Sequence, residues 1–349
     1  MAGTIREMLE EQEARTLHPR AALSSASRGR AVPEPEDDLR PVFQRDRDRL
    51  LHCKSFRRLK GKTQVFLAPR GDHYRTRLTH TLEVAQVARS IARALRLNEM
   101  LVEAMVMGHD LGHTPFGHAG ERLLNEVVPG GFHHVAQSLR VVDVLEKDGK
   151  GLNLTEEVRD GILRHSKGRG TVLMKGTGAK ALTLEAEIVR ISDIVAYVNH
   201  DLDDAIRGGL LREEDVPADI RGALGRRHSE RLATLVGDVI RHSDVDGGGH
   251  IEMSPEIHGA LIALREFLYH RVYENPVVNE EFKKAQRILG ELYAWLKADP
   301  ERLATQFQVA ARDGETVDRA VTDFVSGMTD RFALETWESI VVPRPWAIV

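Results

Sequence analysis

Residues 106–118 read VMGHDLGHTPFGH, and this run decides which fold the chain can adopt. The segment that leads into it, residues 101–107, is apolar on nearly every side, which predicts a helix at the centre of a core. The glycine and proline that follow predict the end of that helix. An imidazole beside a carboxylate at a helix end, here His109 and Asp110, is a common way to hold a divalent cation facing an open cleft. The run therefore predicts a metal site at the end of a buried helix.

The metal site needs ligands from other helices as well. Neighbouring residues within a helix point about 100° apart, so His109 and Asp110 can converge on one ion only at a helix end. His80 is a candidate partner because it continues the apolar stripe of residues 79–95, where an unpaired polar group would be costly. Asp193 is another, since it lies on the buried face of a later helix. The alternatives are a hydrogen-bonded core histidine at position 80 and a salt-bridge partner at position 193. We predict that these four residues hold Mn²⁺, Mg²⁺ or a similar transition metal.

A second His-Asp dipeptide occurs at His200 and Asp201. It lacks the apolar run before it and the helix-breaking residues after it that mark the first copy. We therefore expect a change at His200 or Asp201 to leave the metal content close to that of the unchanged protein.

A histidine and a glutamate follow the predicted metal helix. His118 and Glu121 are three residues apart and share one helical face, where the carboxylate can orient the imidazole as a proton donor or acceptor. The pair is therefore predicted to take part in proton transfer rather than in metal binding.

Residues on the same helices as the predicted ligands are candidates for substrate binding. Arg77 precedes His80 by three residues, which places a guanidinium on the side of the metal ligand and suits a phosphate bridged to the cation. Tyr197 and Asp201 continue the face of Asp193 at the fourth and eighth positions after it. We expect them to form a wall that holds the rest of the substrate.

The composition is typical of a soluble intracellular enzyme. The chain has 349 residues, a formal net charge of −4 and a single cysteine, Cys53. One cysteine excludes an internal disulfide and fits a reducing compartment. No apolar stretch approaches the roughly 18 residues of a membrane span, and the N-terminus lacks the apolar segment of a signal peptide. We therefore expect a cytoplasmic protein without a membrane partner.

Helical periodicity dominates the chain and predicts an all-α fold. Residues 1–40 show little apolar periodicity and are expected to be poorly ordered. Residues 41–215 form the predicted helical core, and residues 216–349 a further C-terminal helical region. Strand signals are scarce and leave room for a hairpin at residues 63–74 at most. Residues 166–180, with four glycines and four basic residues, are either a solvated loop or a mobile basic lid over a polyphosphate.

The order of His80, His109-Asp110 and Asp193 resembles the signature of the HD-domain metal-dependent phosphohydrolases. Within that superfamily the chain is most similar to bacterial deoxyguanosine triphosphate triphosphohydrolase-like proteins, relatives of the animal SAM-and-HD-domain dNTPase. The segments that carry the resemblance are residues 43–49, 56–66, 71–80, 109–121, 131–138 and 199–204. The family commonly has asparagine after the histidine that aligns with His134, and this chain has Val135 instead.

The resemblance implies roles for the candidate residues. It implies an HD fold in residues 41–215 and metal coordination by the four ligands already proposed. It implies proton transfer for His118 with Glu121, and contact with the α-phosphate for His113 and His134. It implies binding of phosphates or sugar for Arg77, Arg265, Gln64, Tyr197 and Asp201.

The resemblance also implies an activity and its partners. The activity would be cleavage of a deoxynucleoside triphosphate at the α-phosphorus, which releases deoxynucleoside and intact tripolyphosphate. A nucleotide effector, and a homo-oligomer by analogy with the family, complete the expected partners. Two alternatives stay open: an HD phosphomonoesterase or phosphodiesterase acting on nucleotides, and a regulator that binds nucleotides or single-stranded nucleic acid. The basic residues 45–62, with eight basic and two acidic side chains, are the feature behind the regulator.

Overall fold

The structure, a computed structural model, describes residues 3–66, 75–166, 181–309 and 312–343. Over these residues the fold is all-helical, which confirms the predicted fold class, and the only β-pairings are isolated bridges. One bridge joins Thr63 to Thr76, at the position of the predicted hairpin. Residues 67–74 of that hairpin and residues 167–180 of the predicted lid lie outside the described residues. No described helix combines the length and the apolar character needed to cross a membrane.

The N-terminal segment differs from the expectation of poor order. Within residues 3–40 a helix, α1 (Ile5–Thr16), begins at a capping box. The segment is also anchored to the body of the protein, because the buried guanidinium of Arg30 forms an ion pair with the buried carboxylate of Asp46. The same guanidinium donates to the carbonyl oxygen of Asn153 at 2.6 Å. These contacts join distant parts of the chain, so local periodicity gave no sign of them.

The described part of the predicted core contains nine α-helices, numbered on from α1. They are α2 (Val42–His52), α3 (Lys54–Arg58), α4 (Arg77–Ala94), α5 (Glu99–His109), α6 (Gly117–Val127), α7 (His134–Arg140), α8 (Glu146–Gly149), α9 (Glu156–Arg164) and α10 (Leu184–Arg207). Helix α5 packs against α2, α4, α9 and α10. Its side chains Leu101, Val102 and Met105 are completely buried, which confirms the prediction of a central helix.

Helix α4 is held in position by the apolar stripe that the sequence predicts in residues 79–95. Its N-cap Thr76 accepts a hydrogen bond from the backbone of Thr79, and the stripe residues Val84, Val87 and Ile91 are buried. Full burial of each such side chain contributes about 1.5–3 kcal/mol. The stripe packs α4 against α5 and α10, so that His80 on the same face points at the end of α5.

The C-terminal helices divide between two cores. They are α11 (Ala218–Leu224), α12 (His228–His242), α13 (Pro255–Leu268), α14 (Pro276–Ala298), α15 (Glu301–Phe307), α16 (Val317–Ser326) and α17 (Asp330–Val341). Helices α11 to α13 extend the large core around α5, which continues as far as Val272. Helices α14 to α17 build a second core together with α6. Leu124 of α6 and Leu289 of α14 are both buried in this second core. The large core thus extends past the boundary predicted at residue 215.

Candidate metal centre

The end of helix α5 brings two consecutive side chains to one point. His109 is the last helical residue, and Asp110 is the C-cap with φ −105° and ψ 9°, outside helical geometry. Both residues are buried. The change of backbone direction places Nε2 of His109 3.6 Å from Oδ2 of Asp110. A helix interior would have directed the two side chains about 100° apart.

Helices α4 and α10 supply the other two predicted ligands. Nε2 of His80 lies 3.1 Å from Oδ1 of Asp193 and 3.9 Å from Oδ2 of Asp110. Nε2 of His109 lies 3.9 Å from the same oxygen of Asp193. The two imidazole nitrogens therefore face both carboxylates. The structure brings together all four side chains that the sequence pattern selected from three helices.

The hydrogen bonding of His109 fits a metal ligand. Its Nδ1 donates to the carbonyl oxygen of Val106 at 2.7 Å, so Nε2 carries the lone pair. That nitrogen is buried and has no hydrogen-bond partner in the described part of the chain. A buried polar atom without a partner is costly, and a cation would satisfy it. Two imidazoles and two carboxylates are a donor set suited to a divalent metal of hard or borderline character.

The carboxylates of the centre are ionised and can accept a cation. Burial raises the pKa of Asp193, but the contact with His80 and the electrostatic attraction of the His109 imidazole outweigh burial and lower the pKa to about 2. Burial likewise opposes ionisation of Asp110, while the electrostatic attraction of the His109 imidazole and of the Arg77 guanidinium holds its pKa well below the ordinary value. Both side chains therefore carry negative charge at neutral pH.

Arg77 lies at the start of α4 beside the centre, on the same side of the helix as His80. It is almost completely buried, and its guanidinium donates to Oδ2 of Asp110 at 2.6 Å. Its Nε is buried and unpartnered among the described residues. A guanidinium in this position has donors left for an anion next to the metal ligands.

Glu121 holds His134 more closely than it holds His118. A carboxylate oxygen of Glu121 accepts from Nδ1 of His134 at 2.7 Å and from its backbone N–H at 2.9 Å. Nδ1 of His118 lies 3.7 Å from the other oxygen, and this imidazole is 69% exposed. Burial raises the pKa of Glu121, but hydrogen bonds from both histidines hold it far below its usual range. The predicted pair is present, and a second histidine shares its carboxylate.

His113 lies between the metal ligands and this histidine group. Its ring stacks on that of His134, with centroids 4.1 Å apart, and its Nε2 is 3.7 Å from Oδ1 of Asp110. Burial, together with the charges of Arg77 and His134, lowers the pKa of His113 well below the ordinary value. The imidazole is therefore neutral at physiological pH.

A close approach between α7 and the end of α5 positions His134. The backbone N–H of Gly112 donates to Oγ of Ser138 at 2.9 Å, and that hydroxyl donates to the carbonyl oxygen of His109 at 2.7 Å. A Cβ at position 112 would lie only 2.1 Å from the backbone nitrogen of Ser138. Glycine is thus required here for packing as well as for ending the helix.

The predicted substrate-binding residues form two groups. Burial raises the pKa of Tyr197 on α10, and the positive charge of the nearby Arg265 on α13 opposes that rise. Asp201, one turn further along α10, accepts a short hydrogen bond from the hydroxyl of Tyr273. The side-chain oxygen of Gln64 is buried and has no partner among the described residues.

Gly117 places Gln64 on the side of the centre where Arg77 lies. A Cβ at position 117 would be 3.3 Å from the Gln64 carbonyl oxygen and 3.6 Å from a nitrogen of the Arg77 guanidinium. The residue has φ +56°, which favours glycine. The backbone of Gln64 thus lies next to the guanidinium of Arg77.

Sequence reasoning missed His165, which follows the last residue of α9. Its ring centroid lies 5.0 Å from that of His109 and 5.5 Å from that of His134. Burial and these two histidines lower the pKa of His165 to about 4. A sequence signal was available, because His165, like His109, stands at the end of a helix with apolar residues. In the structure both imidazoles donate from Nδ1 to the carbonyl three residues earlier, which for His165 is that of Ile162.

Lys62 was also missed, and it joins the centre to the C-terminal helices. Its buried ammonium group donates to the carbonyl oxygens of His113 and Ser326, the latter at 2.8 Å. The neighbouring Asp330 accepts from the backbone N–H groups of Thr63 and Phe116, both at 2.9 Å. Helices α16 and α17 therefore support the segment that carries His113.

The burial of Lys62 predicts a specific pH dependence of stability. Burial, with the positive charges of Arg58 and Arg77, lowers the pKa of Lys62 from 10.5 to about 7. Between these values the unfolded chain binds a proton that the folded protein does not, so stability rises with pH by up to about 1.4 kcal/mol per unit. Lys62→Met removes this contribution. Between about pH 7.5 and about pH 9 the unmutated protein should gain about 1–2 kcal/mol relative to the variant in urea unfolding.

The exposed Lys60 provides the matched control for this measurement. Lys60→Met should leave the pH dependence of the free energy of unfolding unchanged. An identical pH dependence for Lys62→Met and the unmutated protein would mean that the ammonium group of Lys62 stays fully charged in the folded state.

Several basic side chains of residues 45–62 are paired with acidic ones. Arg45 and Arg49 both form ion pairs with Glu34. Other pairs join Arg47 to Asp48 and Lys54 to Asp148. These contacts favour a surface of paired charges over a free basic patch. A free basic patch is the feature that a nucleic-acid-binding regulator would need.

Comparison with known proteins agrees with the geometry of the centre. Residues 77–198 match the HD domain, and residues 251–339 match the phosphohydrolase-associated domain. A solved structure of a hypothetical protein from Aquifex aeolicus is 20% identical and covers 83% of this chain and 67% of its own, with a TM-score of 0.45. That degree of similarity adds nothing to the assignment.

Curated relatives are similar over almost the whole chain. A deoxyguanosinetriphosphate triphosphohydrolase-like protein of Caldanaerobacter subterraneus is 52% identical over 98% of this chain and 97% of its own. Proteins of the same name from Desulfatibacillum aliphaticivorans and Clostridium tetani are 50% and 45% identical, with coverage of 97% or more of both chains. The chain therefore belongs to the family of deoxyguanosinetriphosphate triphosphohydrolase-like proteins, and it is a metal-dependent hydrolase of the HD class.

Proposed function

We propose that the protein hydrolyses deoxynucleoside triphosphates at the α-phosphorus and releases deoxynucleoside and tripolyphosphate. The observation that carries the proposal is the buried centre of two histidines and two aspartates, in which Nε2 of His109 has no partner in the described chain. Its position beside Arg77, together with relatives named triphosphohydrolase-like, supports a polyphosphate ester as the substrate.

His80, His109, Asp110 and Asp193 would hold the divalent cation. When bound, the cation supplies a Lewis acid that neutralises phosphate charge and activates water. Arg77 binds a phosphate oxygen beside it, since its guanidinium has donors left over from the contact with Asp110. Because these groups are buried, they stabilise developing negative charge more strongly than they would in water.

Proton transfer in the proposal falls to the histidines around Glu121. The ionised carboxylate fixes a proton on Nδ1 of His134, so Nε2 of that ring is free to accept one. His118, exposed and near the same carboxylate, is suited to deliver a proton to the departing sugar oxygen. The neutral His113 stacks on His134 and lines the space between it and Asp110.

The remaining candidates bind the nucleoside and the outer phosphates. Arg265 provides positive charge beside Tyr197 for the phosphates. Tyr197 and Asp201 form the wall of α10 against which the sugar rests, and Gln64 offers a buried amide oxygen to the sugar. A wall close to C2′ would discriminate against a ribose hydroxyl, which would clash or lose its hydrogen bonds.

Product analysis tests the proposal directly. Incubation of purified protein with each deoxynucleoside triphosphate and Mn²⁺ or Mg²⁺ should release tripolyphosphate and deoxynucleoside in equal amounts, as separated by ion-exchange chromatography. His109→Ala, purified in the same way, is the control for contaminating phosphatases and should release neither product. Orthophosphate as the main product, or turnover of only nucleoside monophosphates or cyclic nucleotides, would support a phosphomonoesterase or phosphodiesterase instead.

A further inference from the structure

His200 lies directly behind the predicted metal ligand His80. Nδ1 of His80 and Nε2 of His200 are 2.7 Å apart, and the two rings meet edge to face, with centroids separated by 4.9 Å. Both imidazoles are buried, His200 completely. The second His-Asp dipeptide of the sequence therefore contacts the centre through its histidine, and this contact reverses the expectation that a change at His200 leaves metal binding unaffected.

The direction of this hydrogen bond follows from the side of His80 that faces the centre. Nε2 of His80 points at Asp193 and Asp110. A neutral imidazole that binds a cation through Nε2 carries its proton on Nδ1 and must donate it to an acceptor. Nε2 of His200 is the acceptor in contact, so the proton of His200 itself belongs on Nδ1.

Asp201 and Tyr273 hold His200 in this state. Nδ1 of His200 lies 2.7 Å from Oδ1 of Asp201, close enough for strong attraction although the N–H is not aligned for a hydrogen bond. The other oxygen of Asp201 accepts a short hydrogen bond from the Tyr273 hydroxyl. A carboxylate near Nδ1 favours the tautomer that leaves Nε2 free to accept. The four side chains thus form one connected series that starts at the metal ligand.

We propose that His200 is a positioning residue that fixes the tautomer and ring orientation of His80, with Asp201 and Tyr273 holding His200 in turn. The inference rests on the metal site of the proposed function and extends it to a residue outside the ligand set. An apolar side chain at position 200 would leave the N–H at Nδ1 of His80 buried without an acceptor. The tautomer of His80 that binds the cation through Nε2 would then be less favourable, and cation binding would weaken. Outer partners of ligating histidines typically affect metal affinity by 10–100-fold.

Measurement of the metal affinity of the protein in the absence of nucleotide tests this role. His200→Leu should weaken Mn²⁺ binding to metal-stripped protein about 10–100-fold, as measured from free Mn²⁺ by electron paramagnetic resonance. His200→Gln, whose amide oxygen reaches roughly the position of Nε2, should stay within a few-fold of the unmutated protein. His18→Leu is the control, because His18 is buried but bonded to Asp246, outside the centre.

Two results would overturn the inference. His200→Leu with unmutated affinity would make His200 a space-filling residue, and equal loss in the leucine and glutamine variants would exclude the acceptor as the cause. If the leucine variant does not fold, nitrogen NMR of the Zn²⁺-loaded unmutated protein decides the matter. Protons on Nδ1 of both His80 and His200 are expected, and a proton on Nε2 of His200 contradicts the assignment. Because no nucleotide is present, a wrong substrate would leave these results unaffected, whereas unmutated protein that binds no cation would refute both proposals.

Discussion

Asp110→Ala should abolish binding of the divalent cation and, with it, turnover. Asp110 contacts both histidine ligands, and its carboxylate balances the buried guanidinium of Arg77 at 2.6 Å. Its removal deletes a ligand and leaves a buried charge unpaired, a change that costs about 3–5 kcal/mol. The variant should therefore melt at a lower temperature as well. His109→Ala should lose the cation for the same reason, with a smaller loss of stability.

Elemental analysis and calorimetry of the purified variants measure these two effects separately. Asp148→Asn is a suitable control, since the Asp148 side chain is 88% exposed and pairs only with the exposed Lys54 among the contacts of the described chain. Asparagine, like aspartate, also tolerates the φ of +54° at this position. It should keep the metal content and the melting temperature. A full equivalent of metal in Asp110→Ala would place the cation elsewhere, and the nearby group of Glu121, His133 and His134 would be the next candidate.

His118→Ala should retain the cation and bind deoxynucleoside triphosphate, yet lose turnover by about 10²–10⁴-fold, the usual effect of removing a general acid or base. The imidazole is 69% exposed and contacts Glu121 at 3.7 Å rather than a metal ligand. Glu121→Gln should show a milder loss. Its amide could still accept from Nδ1 of His134, but it would no longer carry the charge that orients both histidines.

Single-turnover kinetics, nucleotide binding and metal content together decide this prediction. His270→Ala is a matched control, because His270 is 67% exposed and pairs with Glu274 four residues later, as His118 lies near Glu121. Loss of metal from His118→Ala would make His118 a ligand. Full turnover would assign the proton transfer to His134, which Glu121 holds at 2.7 Å.

The elements of the fold followed from local patterns. The stripe of α4 and the apolar run of α5 predicted buried helices at the positions where they occur. The same patterns placed His80 and Asp193 on faces that turn toward the core. A helical repeat depends only on backbone geometry, so residue spacing is enough to read it.

The order of the N-terminal segment was not predicted, because it does not arise from a local repeat of residues. Its order depends on polar contacts such as that of Arg30 with Asp46, and these have no periodicity. The buried Lys62 could not be recognised either, because its acceptors at His113 and Ser326 are far away in the sequence. A charged residue in a basic stretch is ordinarily exposed, and this one is buried between the segment of His113 and the end of α16.

The sequence by itself determined that the chain is helical, where the central helix ends, and which imidazoles and carboxylates lie on buried faces. Only the tertiary structure decided which of these groups meet: that Glu121 binds His134 more closely than His118, and that His200 supports His80. Helical periodicity determines only the direction in which a side chain points around the axis of the helix that carries it. Contact between two helices depends on their separation, crossing angle and axial offset, which arise from the packing of the whole core.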